Sequence, residues 1–382
     1  MPGKGLEKRG GVPPSHKAMA GQVEEGKKNL SLKGFFSLLK PCLYCEQSPR
    51  KGLMDTLNNL IASAIGRRQN LLLDPQHRQA LRLFNGFTEG CKDLAVDLMG
   101  RTAVIQDYSD EAKEFVPIAE FLRSKLDFLQ AVILKRRRGQ TPAERNGILI
   151  WGEKCDTFIV EHNVRYACDL QMNHDNGFYS DTRNLRKYLL ENMRGKRVLN
   201  TFAYTGSLGA AAAMGGAEYV LQTDVSNNFL QTAYRTASLN GFAFTRKNFR
   251  IGDFFAVTAA LRKEKTQFDC VILDPPFYSA SNKGVIDLAN NPLGVINKVR
   301  PLVADNGLLI VVNNSLYLSG KDFMEKLARL CSDGFMQIES VIPIPEDFAC
   351  NSGETMPYPA DPAPFNHPTK IVAIRVHCKG IV

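Results

Sequence analysis

No stretch of 18 or more apolar residues occurs in the 382-residue chain, which excludes a membrane-spanning helix. Cysteine is too sparse for a disulfide framework of the secreted kind. The nine residues, at positions 42, 45, 91, 155, 168, 270, 331, 350 and 378, are scattered along the chain, and a reducing, cytoplasmic setting is expected. Cys42 and Cys45 form a lone CxxC with no second pair nearby. A closed structural zinc site needs four ligands, so these two read as incidental and no metal is expected. With 44% hydrophobic and 23% charged residues, the composition is that of a soluble globular protein long enough for two or three domains.

The net charge of +9 points towards nucleic acid, but its distribution matters more than its size. Residues 1–69 hold 12 Lys and Arg against 5 Asp and Glu, so seven of the nine excess charges lie there and the remaining 313 residues are close to neutral. Residues 1–52, rich in Gly, Lys and Pro without a sustained period, read as a basic, disordered arm. One dense basic cluster lies outside it, Lys135-Arg136-Arg137-Arg138, either a phosphate contact or a solvated loop.

Residues 53–170 read as a small α+β domain: an amphipathic helix over 53–68, short strands over 78–106 punctuated by Asn-Gly and Met-Gly, a helix over 112–126, and strands near 131–135, 147–151 and 158–162. From 171 to 382 the alternation becomes regular. Strands over 197–201, 219–224, 249–253, 268–274 and 307–313, separated by helical stretches, predict an α/β, Rossmann-like doubly wound parallel sheet with its ligand site at the carboxyl ends of the strands. Two further strands, 336–344 and 369–378, are expected to pair antiparallel at the edge and bring the sheet to seven.

The chemistry gathers at those strand ends. The first strand carries Asn200 and runs through Phe202-Ala-Tyr204-Thr-Gly206 into an Ala-rich helix, the place where a nucleotide-like ligand approaches the backbone. Tyr204 stands where GxGxxG has its first glycine, which disfavours a dinucleotide and with it a nicotinamide oxidoreductase. A nucleoside without a pyrophosphate makes no such demand. Asp224, followed by Val225, ends the second strand, where a carboxylate can accept from both ribose hydroxyls; Asp253, followed by Phe254, ends the third and can serve the adenine amino group beside a stacking ring. Each acid has a second reading as a helix N-cap. The fourth strand ends in Asp274-Pro275-Pro276-Phe277, where two prolines remove two donors and fix the turn, leaving carbonyls to accept from a target amino group and Phe277 to stack on a flipped base.

Taken in order, Gly177-Phe-Tyr-Ser-Asp181-Thr-Arg183-Asn-Leu-Arg186, the Asn200 to Gly206 segment, Thr-Asp224-Val-Ser, Gly-Asp253-Phe-Phe and Leu-Asp274-Pro-Pro-Phe resemble the class I S-adenosylmethionine-dependent methyltransferases of the large-subunit ribosomal RNA type, the group that includes a 5-methylcytosine and a guanine-N7 enzyme. The likeness covers about residues 70–382. It implies S-adenosylmethionine as cofactor, a base of RNA, ribosomal RNA in the first place, as partner and substrate, and cofactor contacts for Phe178, Asp181 and Arg183. Two departures qualify it. The stretch after the fifth strand, Val311-Val-Asn313-Asn314-Ser315-Leu316, lacks the cysteine that cytosine-C5 methylation needs as its covalent nucleophile, so a purine nitrogen is the expected target. The 69 N-terminal residues do not encode the PUA domain that several relatives carry.

The proline-rich loop 343–368 is expected to wall the substrate pocket with Phe348, Phe365 and His367, or else to cover the sheet edge, while His174 and Asp175 read as ordinary polar loop residues. A protein or small-molecule substrate, and a catalytically idle RNA-binding assembly factor, are the alternatives that the residues leave open.

Overall fold

The computed structural model describes residues 50–110, 115–349 and 369–378. The pair Cys42 and Cys45, most of the N-terminal arm, and Phe365 and His367 lie outside the described residues. Helices of eight or more residues are numbered below.

Two sheets form, each with its own core. Helix α1 (Arg50–Arg67) is followed by β1 (Ala80–Asn85), β2 (Leu94–Met99), β3 (Thr102–Asp107), α2 (Val116–Lys125), β4 (Ala131–Arg136) and β5 (Ile148–Gly152), which make a five-stranded sheet in the order β1-β2-β3-β4-β5. All neighbours are antiparallel except β3 and β4, which α2 joins as a parallel crossover. Strands β1 to β4 are buried on both faces, whereas the edge strand β5 is partly exposed. Leu81, Leu83, Val96, Ile105 and Val132 face the two helices, packing with Ile61 and Ala64 of α1 and Ile118 and Leu122 of α2. Ala80, Met99, Val104 and Ile133 face the second sheet, meeting Tyr166, Phe178 and Ala210.

A hairpin, β6 (Phe158–Glu161) and β7 (Val164–Ala167), bridges the two: Val160 donates its N–H to the carbonyl of Arg78, and Ala167 donates to Oγ1 of Thr236 at 3.0 Å. Then follow α3 (Arg183–Asn192), β8 (Arg197–Thr201), α4 (Ser207–Met214), β9 (Tyr219–Asp224), α5 (Asn227–Leu239), β10 (Phe249–Ile251), α6 (Phe254–Lys263), β11 (Phe268–Leu273), β12 (Tyr278–Ser281), β13 (Gly284–Asp287), α7 (Pro292–Val299), β14 (Val303–Asn313), α8 (Gly320–Leu330), β15 (Met336–Ile342) and β16 (Lys370–Val376).

The seven-stranded sheet runs β10-β9-β8-β11-β14-β16-β15. Its first five strands are parallel, and β16 inserts antiparallel between β14 and β15, so the expected antiparallel pairing of the last two strands holds. Alternate side chains again separate into layers. Leu199, Val271, Leu309 and Val311 pack under α6, α7 and α8, whereas Val198, Ile272, Leu308 and Ile310 pack under α3 and α4. Helix α4 is apolar all round, and its small residues let it lie close to the strands; a Cβ on Gly209 would stand 2.4 Å from Oε1 of Gln222. The sequence order therefore reverses beside β8, and the carboxyl ends of β8, β9, β10 and β11 open on one crevice.

Buried ion pairs fasten the two sheets. Asp347 accepts from both terminal nitrogens of Arg183, at 2.9 and 3.0 Å, and from the backbone N–H of Arg82 at 2.7 Å, while Arg183 also donates to the carbonyl of Ala80. Beside it, the fully buried Arg186 forms a two-pronged pair with Glu161 and donates its third nitrogen to Tyr179 and Thr182. Removing one member of such a group leaves the other charge buried and unpaired. Asp347→Ala is expected to lower the folding free energy by about 3–5 kcal/mol, read by urea denaturation; a loss below about 1 kcal/mol would show that the ring of contacts is not what joins the sheets.

Candidate active site

The loop between β8 and α4 has an unusual backbone. Phe202, Tyr204 and Gly206 all lie in the left-handed region, with φ of 53°, 52° and 81°. For two bulky aromatics this conformation costs on the order of 1–3 kcal/mol each and persists only where surrounding contacts enforce it. Those contacts are visible. The Tyr204 N–H donates to Oδ2 of Asp224 at 2.9 Å, and its buried phenol donates to Oδ1 of Asp175. Gly206 has no alternative, since a Cβ there would come within 2.4 Å of the Ala233 Cβ.

Asp224 ends β9 with Oδ2 on the Tyr204 N–H and Oδ1 on the Ser226 N–H, both at 2.9 Å. The half-buried carboxylate thus holds the loop through both of its oxygens. Asp253 is the N-cap of α6: its Oδ1 accepts from the N–H groups of Phe255 and Ala256. The capping reading is therefore correct for Asp253, and the same residue also lines the crevice.

The crevice is open to solvent and is lined by Phe202, Thr223, Val225, Gly252, Asp253, Phe254 and Phe255, with Ser279, Ser281, Gly284 and Ile286 on the opposite side. The rings of Phe202 and Phe254 stack 4.6 Å apart along one wall. Apolar walls with hydroxyl and carboxylate groups at the edge suit a purine nucleoside better than a charged phosphate. The β12–β13 hairpin that supplies the second wall is absent from the strands expected from sequence. Its pairing, Ser279 with Ile286 and Ser281 with Gly284, turns those four residues inward. Gly284 is needed where it stands, because a Cβ would meet the Phe255 ring at 2.6 Å.

Asp274, 5% exposed, ends β11 near the buried Tyr179, whose phenol is pushed well above its ordinary pKa by burial first and then by the negative charges of Asp175 and Asp274. The turn that follows is braced. The Pro275 carbonyl accepts a long bond from Nδ2 of Asn314 at 3.4 Å, and the Phe277 carbonyl accepts from Leu288 N–H at 2.9 Å. The expectation that all the carbonyls of this turn await a ligand is thus corrected for these two. Pro275 and Pro276 are buried and Phe277 is half-buried.

Several other expectations are corrected. Phe178 does not face the crevice; its ring is 3% exposed, under the Arg186 guanidinium at 4.1 Å and beside Tyr166. Arg183 gives its donors to Asp347 and Ala80, and the buried Asp181 accepts from Oγ1 of Thr369 at 2.7 Å. Phe178 and Arg183 join the sheets, and Asp181 ties the segment before α3 to the start of β16. Asn200 is buried beneath the loop, with Nδ2 3.4 Å from Oε1 of Gln222 and no partner for its Oδ1 among the described residues. Phe348 does not wall a pocket; it is 2% exposed beneath the guanidinium of Arg82.

Asp175 is no ordinary loop residue. Its carboxylate accepts from both Tyr204 and Tyr179, and its backbone carbonyl, with that of Asn173, accepts from Nζ of Lys135. Lys135, expected in a phosphate-binding or solvated cluster, is thus buried against the loop that leads to Gly177. Nothing in the local sequence marks Asp175: Tyr179 lies four residues on, but Tyr204 and Lys135 lie 29 and 40 residues away.

A model of S-adenosylmethionine-dependent methyltransferases matches residues 130–349, more than half of the chain. The chain belongs to that family. A Bacillus subtilis protein provisionally named ribosomal RNA large subunit methyltransferase YwbD is 28% identical over 300 residues, 76% of this chain and 75% of that one. Ribosomal RNA large subunit methyltransferase I of Aeromonas hydrophila is 30% identical over 199 residues, 52% of this chain and 50% of its own length. The chain thus spans three quarters of the first relative and half of the second. The fold is shared with the solved structure of SMU.776, provisionally described as a methyltransferase and complexed with SAH, at TM-score 0.73 and 21% identity over 85% of this chain and 82% of that one. This methyltransferase uses S-adenosylmethionine, and the residues present fit it: the aromatic-walled crevice, the Asp224 carboxylate and the close-packed glycine turn provide for a nucleoside.

Burial lowers the Lys135 ammonium from the ordinary 10.5 to about 7, with the nearby Asp175 opposing the shift. Between those values the unfolded chain holds a proton that the folded chain has lost. Stability therefore rises with pH across that window, with a slope of up to about 1.4 kcal/mol per pH unit from this one group. Urea denaturation at pH 7, 8 and 9 is expected to show the rise in the wild type and not in Lys135→Met; equal slopes in the two would remove Lys135 as its source.

Proposed function

We propose that this methyltransferase modifies a base of RNA, large-subunit ribosomal RNA in particular, and that the acceptor is a purine nitrogen rather than cytosine C5. The observation that carries the reading is the braced Asp274-Pro275-Pro276-Phe277 turn, which brings a buried carboxylate and a half-exposed aromatic ring to the end of β11, beside the nucleoside crevice. The names of the similar proteins support RNA as the substrate class.

When bound, S-adenosylmethionine supplies a methyl group on a positively charged sulfur, ready for in-line displacement. The protein's part is positioning. Phe202, Val225 and Phe254 hold the adenine, Asp253 accepts from its amino group, and Asp224 accepts from the ribose while fixing the Tyr204 turn. Phe277 stacks on the extruded target base, and Asp274 accepts a hydrogen bond from an N–H of that base. A thiolate nucleophile is missing from the position after β14, where Asn313, Asn314 and Ser315 stand. Cys270, on β11 itself, is fully buried and its thiol is pushed up to about 12, which leaves it inert at neutral pH.

Incubation of the protein with labelled S-adenosylmethionine and RNA lacking the modification, followed by nucleoside mass spectrometry, is expected to yield an N-methylated purine. Recovery of 5-methylcytidine would refute the choice of atom, and transfer to no RNA despite cofactor binding would refute the substrate class. The two halves of the site also separate. Asp224→Ala is expected to weaken cofactor binding at least tenfold, whereas Phe277→Ala lowers turnover with cofactor affinity unchanged; matching losses of cofactor affinity in both variants would contradict this division.

A further inference from the structure

The hairpin that closes the cofactor crevice has a second face. Because Ser279, Ser281, Gly284 and Ile286 turn inward, the strand period of two sends Tyr278, Ala280 and Val285 outward. Tyr278 is 46% exposed and Val285 55%. Across the catalytic turn, the segment after β14 exposes Leu316 at 57% and Tyr317 at 68%. That segment is held firmly. The buried Lys370 donates to the Ser315 carbonyl at 3.0 Å, Ser315 N–H donates to Oδ1 of Asn313, and Asn314 reaches the Pro275 carbonyl. A second link ties it to the hairpin's return strand, from Nδ2 of Asn313 to the Leu288 carbonyl.

Folding alone has no use for two exposed tyrosines on braced backbone, one directly after Phe277 and the other beside the turn. Lys283 is exposed at the hairpin tip and Lys321 lies in the first turn of α8 beside Asp322, while the outer-face carboxylate of Asp287 accepts from Ala289 and Asn290.

We infer that the outer face of the hairpin and the Leu316-Tyr317 segment form a stacking platform for single-stranded RNA on either side of the target base, with Tyr278 and Tyr317 each taking one flanking base and Lys283 a phosphate. This rests on RNA being the substrate. Flat rings beside lysines match unpaired bases and their backbone, and a target that must be extruded leaves neighbours in need of a new stacking surface.

The test uses the full-length protein, large-subunit ribosomal RNA transcribed in vitro, and labelled S-adenosylmethionine. Tyr278→Ala and Tyr317→Ala are each expected to raise KM for the RNA by about five- to hundredfold. Cofactor affinity, read by calorimetry, holds in both, which shows that each variant is folded. Tyr278→Phe and Tyr317→Phe keep the wild-type KM, since the ring and not the hydroxyl does the stacking. An unchanged KM in both alanine variants overturns the platform while leaving RNA methylation standing, and points the surface to a protein partner. No transfer to this RNA by wild-type protein that binds the cofactor overturns the platform and the RNA reading together.

Discussion

A single carboxylate holds the centre of this protein. Asp175 accepts from the phenols of Tyr204 and Tyr179, and the peptide carbonyl of the same residue accepts from Lys135 of the smaller sheet. The first of these bonds turns a strained backbone into a stable one. Tyr204 stays left-handed because its ring is drawn inward to Asp175 and packed against Phe229, while its N–H is drawn to Asp224. Burial keeps both phenols protonated, so their roles as donors do not depend on pH in the physiological range. The cofactor loop is therefore organised in part from below, by the Asp175 carboxylate, which does not line the crevice itself.

The junction between the sheets follows the same economy. A small apolar layer from Met99, Val104, Ile133, Tyr166 and Phe178 is bordered by ion pairs in which every charge has a geometric partner. Asp347, Arg183, Glu161 and Arg186 fix the direction in which the smaller sheet sits against the larger. Apolar contact alone would leave that direction less determined, because it has no preferred angle.

How much of this could be read from the sequence depended on where each residue's partners lie. The parallel strands were legible because each is a short apolar run ending at a turn residue or an acid, and the antiparallel final pair because the proline-rich loop 343–368 offers no crossover helix. The β12–β13 hairpin was not legible: Tyr278-Ser-Ala-Ser and Gly284-Val-Ile-Asp are too short and too polar to stand out, and their order comes from packing Ile286 and Gly284 against the neighbouring helix. Asp253 was legible as an acid at a strand end, but whether it capped a helix or lined a site was not a choice, since it does both. Asp175, outside any motif, was passed over because Tyr204 and Lys135 are distant in sequence, whereas Arg183, inside one, was expected to meet a ligand and is held by Asp347 and Ala80. A charged residue in a motif declares that it needs a partner, and only the fold decides whether that partner is a ligand or the protein.

The hairpin joins two surfaces that are otherwise far apart in character. A two-stranded ribbon with four residues per strand has little stability in water by itself, so its order is on loan from whatever packs against it. On the inner side that is the ring of Phe255 against Gly284, and the nucleoside crevice itself. A molecule that fills the crevice firms the ribbon, and a firm ribbon presents its outer residues in one arrangement instead of many. Occupancy on the two sides is then joined by one coupling free energy, equal in both directions: whatever the inner ligand adds to the affinity of the outer face, the outer ligand returns to the inner one.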